Sequence, residues 1–183
     1  LRDAPRKAYL AALDRLRAAG ATIEPLTAPE VAEVLTTSAA VFAPEAYGIW
    51  REVIEAHPEK MFPEILERFR GGQAISGPDF VAAWQTIRRC RETWTARVAH
   101  FDAVLAPTSP ILPPDVARML SDHDYYVTEN LLALRNTRVG NLLGLSALNL
   151  PTGSHSCGLM LMGKPFGEEA LLRVGAAAEA ALA

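Results

Sequence analysis

The chain has 183 residues, half of them apolar, and 18 basic against 21 acidic side chains give a formal charge of −3. That is enough apolar sequence for the core of one large domain, and the scatter of charge without like-sign runs excludes a nucleic-acid or anionic membrane surface, leaving small neutral substrates or partners. Cys90 and Cys157 are the only thiols, too few for a disulfide framework or a cysteine zinc site, which points to a reducing cytoplasm.

The opening "LRDAPRKAYL" has neither a signal-peptide core nor an initiating Met, and it begins in mid-pattern as though cut from a longer chain. Asp3 and Pro5 start a helix in which Leu10, Leu13 and Leu16 recur at helical spacing until Gly20. "ATIEPL" then predicts a short strand over 22–26, and residues 28–70 predict two or three helices broken at Pro44, Pro58 and Pro63. After the loop "GGQAISGP", Ser76, Pro78 and Asp79 head a long helix reaching about His100, whose Phe80, Trp84, Ile87 and Trp94 are read as core.

Residues 102–106 predict a buried strand, and Pro107, Pro110, Pro113 and Pro114 make the stretch to His123 a long loop, of the kind that closes over a pocket. A helix over 125–143 follows. Strands over 146–150 and 158–162 are joined across "PTGSHSC", and an Ala-rich helix, Glu168–Leu182, closes the chain. No run of apolar residues is long enough for a transmembrane helix, and no internal repeat is present.

Few residues are candidates for chemistry. His57, His100, His123 and His155 are isolated, with no His-Glu-x-x-His or Cys-x-x-Cys spacing, so no metal site is expected. There is no Gly-x-Ser-x-Gly elbow, and Ser154, His155, Ser156 and Cys157 read as turn chemistry rather than as a nucleophile and its base. No phosphate-binding glycine loop is present, and no cofactor is expected. Arg68 and Arg70, beside Gly71-Gly72, can hold a carboxylate or carbonyl oxygen through the guanidinium fork, or can simply be cations at a solvated helix end.

Three successive motifs decide the class: "DAVLAPTSPILPP", "NTRVGNLLGLSALNLPTG" and "GLMLMGKPFGEEALLRVGAAAE". In that order they resemble the C-terminal half of the amidase signature family, and "RFRGG" and "SGPDFVAAWQTIR" are similar to earlier elements of it. The family's middle motif falls here on Thr137, Asn141, Gly144, Pro151 and Gly153, read as structural anchors around a buried strand. Ser146 stands where the family commonly has Pro, and Met160 where it commonly has Gln.

The resemblance implies an α/β fold, a layered α/β/α arrangement with a short mixed sheet. The expected organisation is one domain over 1–183, with 1–100 as helical cover and 101–183 as the sheet-bearing part. It implies hydrolysis of a small carboxamide through a serine acyl-enzyme without a cofactor. The family's nucleophilic serine, second serine and lysine belong to an N-terminal half, and none of the three lysines or seven serines here sits in such a segment, so no catalytic residue is assigned. The contribution implied for this chain is a wall of the substrate pocket, from Arg68, Thr108, His123, Asp124 and Tyr125. The alternatives are a non-catalytic binding or assembly domain and one subunit of an amidotransferase that works with partners. Two physical expectations follow. The loop from Pro107 to Tyr126 should be mobile where it lacks its counterpart, and the leucines of strands 146–150 and 158–162 should drive homodimer formation.

Overall fold

The computed structural model describes residues 1–183, in two compact units: Leu1–Thr27 with Thr95–Ala183, and Ala28–Trp94. The first unit grows from the pattern at its start. Ala8, Ala12, Leu13 and Leu16 line one face of α1 (Asp3–Ala18) and are buried. Against them lies a three-stranded sheet of β1 (Val104–Pro107), β2 (Ala147–Pro151) and β3 (Gly158–Met162), with β3 in the middle. Leu161 pairs with Leu105 on one side and Leu148 on the other, and Leu150 pairs with Leu159. Period-2 alternation sends Leu159 and Leu161 to one face of β3. There they join Leu150, the α1 leucines, and Leu171, Ala178 and Leu182 of the last helix, Glu168–Leu182, in one core.

Three details differ from the sequence reading. Residues 22–26 form no strand: Ile23 packs against this core, but Pro25 has no N–H to offer a ladder, and the segment stays irregular. The sheet is antiparallel throughout rather than mixed, since the six residues between β2 and β3 can join antiparallel neighbours only. The leucines expected to be left open for a second copy are covered: Leu150, Leu159 and Leu161 are at most 5% exposed beneath the first and last helices.

The same unit carries three further helices, Val116–Ser121, His123–Ala133 and Arg135–Leu143. The expected single helix over 125–143 is thus divided at Leu134, and the expected long loop contains a short helix. Two aspartates explain the starts. Asp115 accepts the Arg118 N–H at 2.7 Å and Asp122 accepts the Tyr125 N–H at 3.0 Å, each satisfying a first-turn donor.

In the second unit, α2 (Pro29–Thr36), α3 (Ser38–Ala56), α4 (Pro63–Arg70) and α5 (Gly77–Arg97), the last belonging here as far as Trp94, fill the helical stretch. With these numbered, the helices of the first unit are α6 (Val116–Ser121), α7 (His123–Ala133), α8 (Arg135–Leu143) and α9 (Glu168–Leu182). α3 runs straight through Pro44, where a break was expected. Ser76 opens α5 with a cap in both directions: its Oγ accepts the Asp79 N–H at 3.2 Å and donates to Asp79 Oδ2 at 2.6 Å. Ala83, Ile87, Cys90 and Trp94 are its buried stripe, while Phe80 and Trp84 meet edge to face at the half-buried margin. No helix is long and apolar enough to cross a membrane.

Candidate functional site

The candidate site is built where β1 runs into the proline-rich segment. Beyond Pro107 the backbone keeps one more sheet bond, from the Thr108 N–H to the Gly158 carbonyl at 2.9 Å. The Thr108 hydroxyl donates to Asn149 Oδ1 on β2, bridging over β3 at Gly158. That bridge needs a glycine beneath it: a Cβ on Gly158 would lie 2.7 Å from Thr108 Oγ1 and closer still to Asn149 Oδ1. From α8, Asn136 Nδ2 donates to the Pro107 carbonyl at 2.6 Å. Proline cannot donate and its neighbours leave carbonyls without a helix or sheet partner, so side chains and distant backbone supply the donors here.

The segment is held again further on. The Arg2 N–H reaches the Pro110 carbonyl at 2.9 Å, and Ile111 is 2% exposed. The Arg2 guanidinium grips both oxygens of Glu129 on α7, a carboxylate that is 2% exposed; this bond raises the Arg2 pKa above its ordinary value. At the far end the Asp115 N–H donates to the Tyr125 hydroxyl at 3.2 Å, and the Arg118 guanidinium lies over the Tyr125 ring at 4.1 Å. Arg118 also reaches Asp122 Oδ2 at 3.1 Å. The Asp122 carboxyl is held below the usual carboxylate range, first by the Tyr125 N–H and then by Arg118. The segment is therefore tethered at both ends and near Pro110, and the exposed stretch Leu112–Pro113 carries none of these bonds.

The turn joining β2 to β3 is also fastened. Thr152 Oγ1 donates to the Cys157 carbonyl at 2.8 Å and accepts the Ser154 N–H at 3.3 Å. Gly153 and Ser156 take left-handed backbone angles, φ 79° and 56°. Arg15 spans from the Thr152 carbonyl to that of Leu182, 2.8 Å from the latter. Gly144 ends α8 in the left-handed conformation, φ 70° and ψ 37°, and lets the chain turn into β2.

A family model for amidases matches residues 1–172 of this sequence. The chain belongs to the amidase family. Among its relatives, the 2-amino-5-chloromuconic acid deaminase of Comamonas testosteroni is 28% identical over 176 residues, covering 93% of this chain and 38% of that protein. A glutamyl-tRNA(Gln) amidotransferase subunit of Halobacterium salinarum is 29% identical over 141 residues, 72% of this chain and 32% of the relative. The fold is shared with the allophanate hydrolase of Kluyveromyces lactis, at a TM-score of 0.85 and 19% identity over 99% of this chain and 30% of that one. The chain thus spans well under half the length of the relatives it matches.

Within the amidase frame, the sequence-derived wall residues divide. Thr108 and Tyr125 lie on the tethered segment and its support, with both hydroxyls engaged by the chain itself. His123 and Asp124 are exposed at the start of α7. Arg68 belongs to the second unit, half-buried on α4, two residues before an Arg70 that is engaged with Glu55 at 2.7 Å. Of the motif residues, the Thr137 hydroxyl donates to the Leu134 carbonyl at 3.1 Å, and Asn141 is exposed and offers its carbonyl to the Gly144 N–H at 3.3 Å.

The long-range polar anchors are residues that sequence reading did not assign to the site: Asn136, Asn149, Arg2 with Glu129, and Arg15. The flanking asparagines of the middle motif were a visible signal for the first two; nothing local announces the arginines. Ser146, at the position where Pro is common, has a use of its own. It is buried, its Oγ accepts the Gly167 N–H at 3.2 Å, and its carbonyl accepts the Gly163 N–H at 2.9 Å, fixing the approach to α9. Met160 is 4% exposed in the middle of the sheet.

Proposed function

We propose that this chain is the scaffold and one substrate-pocket wall of an amidohydrolase that cleaves a small carboxamide through a serine acyl-enzyme, and that it supplies no member of the catalytic group. The observation that carries the reading is the tethered segment Pro107–Asp115, fixed by Asn136, Asn149, Arg2 and Tyr125 within a chain of the amidase family. A pocket wall works by holding substrate in one geometry, and such tethering limits how far it can stray. Thr108, His123, Asp124 and Tyr125 are its proposed substrate-facing residues, reached by substrate directly or through the backbone they position, and Arg68, on the second unit, is proposed by itself as a further substrate-binding residue.

The absence of a catalytic group is supported by where the hydroxyls go. Ser38 donates to the Leu35 carbonyl near the end of α2 and Ser121 to the Ala117 carbonyl of its own helix, Ser76 caps the start of α5, Ser109 Oγ accepts the Ile111 N–H at 3.4 Å, Ser146 Oγ accepts the distant Gly167 N–H, and Ser154 and Ser156 lie in the β2–β3 turn. An acyl-enzyme needs a nucleophile beside a base and an oxyanion site, and a loss of all three is not graded. The purified chain is expected to release no ammonia or amine from aliphatic or aryl amides. Turnover that a serine-directed reagent abolishes would overturn the reading.

A second reading, one component of an amidotransferase, is favoured by the likeness to the Halobacterium protein. Activity that appears only when partner subunits are added would select it over the first.

A further inference from the structure

The second unit holds a cavity of its own. It measures about 390 Å³ and opens beside the C-terminal half of α3, with Trp50, Ile54, Met61 and Phe69 among its walls and His57 and Lys60 as its polar lining. Trp50, Ile54 and His57 follow one another by four and three residues, which sets them on one face of the helix and its C-terminal cap. Pro58 starts the short 3-10 turn Pro58–Lys60 and Pro63 starts α4, and this tight return brings Met61 and Phe69 to the same cavity. The charged groups near it differ in what they already hold. Glu59 Oε1 lies 3.5 Å from His57 Nδ1, so that acid is turned toward the imidazole. Arg70 and Arg89 of the same unit are paired with Glu55 and Glu33. Lys60 is exposed, and its ammonium pairs with no carboxylate.

We propose that this cavity binds a small aromatic carboxylate, its ring against Trp50 and Phe69 and its carboxylate on the Lys60 ammonium. The volume falls in the range of about 300–1,000 Å³ usual for ligand pockets, and an apolar wall with few polar groups is their usual chemistry. Trp50 and Phe69 favour a ring over an alkyl chain because aromatic pairs gain from their quadrupoles beyond the area they bury, and the Met61 thioether adds a polarizable contact. Trp50 is 54% exposed, so a ring that covers it takes apolar surface out of water. One unpaired ammonium is a compact point charge that matches a monoanion, whereas a phosphate has more charge and more acceptor oxygens than a single lysine can satisfy. The site lies wholly within the second unit, and its occupancy is independent of whether the intact protein hydrolyses amides.

Titration calorimetry of the whole chain with 4-phenylbutanoate, together with nuclear magnetic resonance of its three indole N–H signals, will read the binding. A ligand of about a dozen heavy atoms should bind an open site of this kind with a Kd of about 0.1–1 mM. The Trp50 signal, assigned with Trp50→Phe, is expected to shift more than those of Trp84 and Trp94. The neutral 4-phenylbutan-1-ol and the straight-chain octanoate should each bind at least about threefold more weakly. Because Lys60 is exposed, Lys60→Gln should keep the fold, which circular dichroism checks, while weakening 4-phenylbutanoate about three- to tenfold and leaving the alcohol unchanged. Lys60→Glu should reverse the preference, so that 4-phenylbutylamine binds more tightly than the acid. No saturable binding below about 5 mM, a response at Trp84 or Trp94 in place of Trp50, an alcohol or octanoate that binds as tightly as 4-phenylbutanoate, or an affinity indifferent to both Lys60 substitutions would each overturn the proposal.

Discussion

Gly72→Ala puts the packing of the second unit to a local test. Gly72 is buried in the turn Gly71–Ala74, pressed on α3 where Ala43 and Pro44 pass. A Cβ there would lie 2.7 Å from the Pro44 nitrogen and 2.5 Å from the Ala43 carbonyl carbon, closer still to its oxygen. Carbon atoms rest at about 3.5–4.0 Å, so the turn and α3 must part by roughly 1 Å, and no flexible side chain can absorb the motion. Overpacking of this kind costs about 2–3 kcal/mol.

Its neighbour is the control. Gly71 has helical angles, φ −55° and ψ −24°, and a Cβ on it would meet nothing within 4 Å. Gly71→Ala should be neutral or stabilising by about 0.4–1 kcal/mol, through the lost freedom of the unfolded chain. Thermal unfolding followed by circular dichroism should separate the two variants by roughly 5–15 °C for a chain of this length. A Gly72→Ala melting point within about 2 °C of that of Gly71→Ala would refute the close approach as the reason for the glycine.

Two further outcomes follow from the tethered segment and the helices that hold it. Gly158→Ala should break the bridge between Thr108 and Asn149 and destabilise the chain by about 1–3 kcal/mol, with amide exchange at Thr108 rising as its own bond to residue 158 loosens; unchanged exchange there would count against the bridge as an anchor. Asp122 contributes to the pH dependence of stability, as do Glu33 and Glu55, whose carboxyls Arg89 and Arg70 also hold below the ordinary range. The folded pKa of Asp122 lies below the ordinary value of about 3.9, so its stabilising bonds are fully present above that value and are lost as pH falls through the folded one. Asp122→Asn should therefore flatten the acid limb of a stability profile taken from about pH 6 to 2, and an acid limb as steep as that of the parent would refute the assignment.

Much of the first unit was legible because its signals are local and periodic. Leucines at helical spacing gave α1, and the alternation of β2 and the unbroken apolar run of β3 gave the sheet; in the second unit Ser76 with Asp79 marked the start of α5. Family membership was legible too, since the three motifs preserve order and spacing over the second half of the chain. The strand expected at 22–26 failed because β-branched residues say only that a segment can extend; whether it pairs depends on a free sheet edge within reach and on donors that Pro25 lacks. The helix through Pro44 went the other way, its buried Val41 and Ile54 carrying it past a local breaker.

Composition and pattern thus determined the class of the chain, the identity of its main elements and the motif glycines, because each rests on bonds between near neighbours or on a backbone angle one residue must adopt. Tertiary structure alone decided which surfaces stay open and which polar groups meet. The leucines of β2 and β3 looked adhesive in sequence and are covered by α1 and α9, whereas Ile49, Trp50 and Val53, unremarked in a helical stretch, remain exposed. Arg2 finds Glu129 across 127 positions, and Arg15 finds Thr152 across 137. Neither pairing has a local signature, because a guanidinium at either end of a helix reads the same whether it faces water, a buried carboxylate or distant carbonyls, and only the closing of the chain brings Glu129 to Arg2 and the Thr152 and Leu182 carbonyls to Arg15.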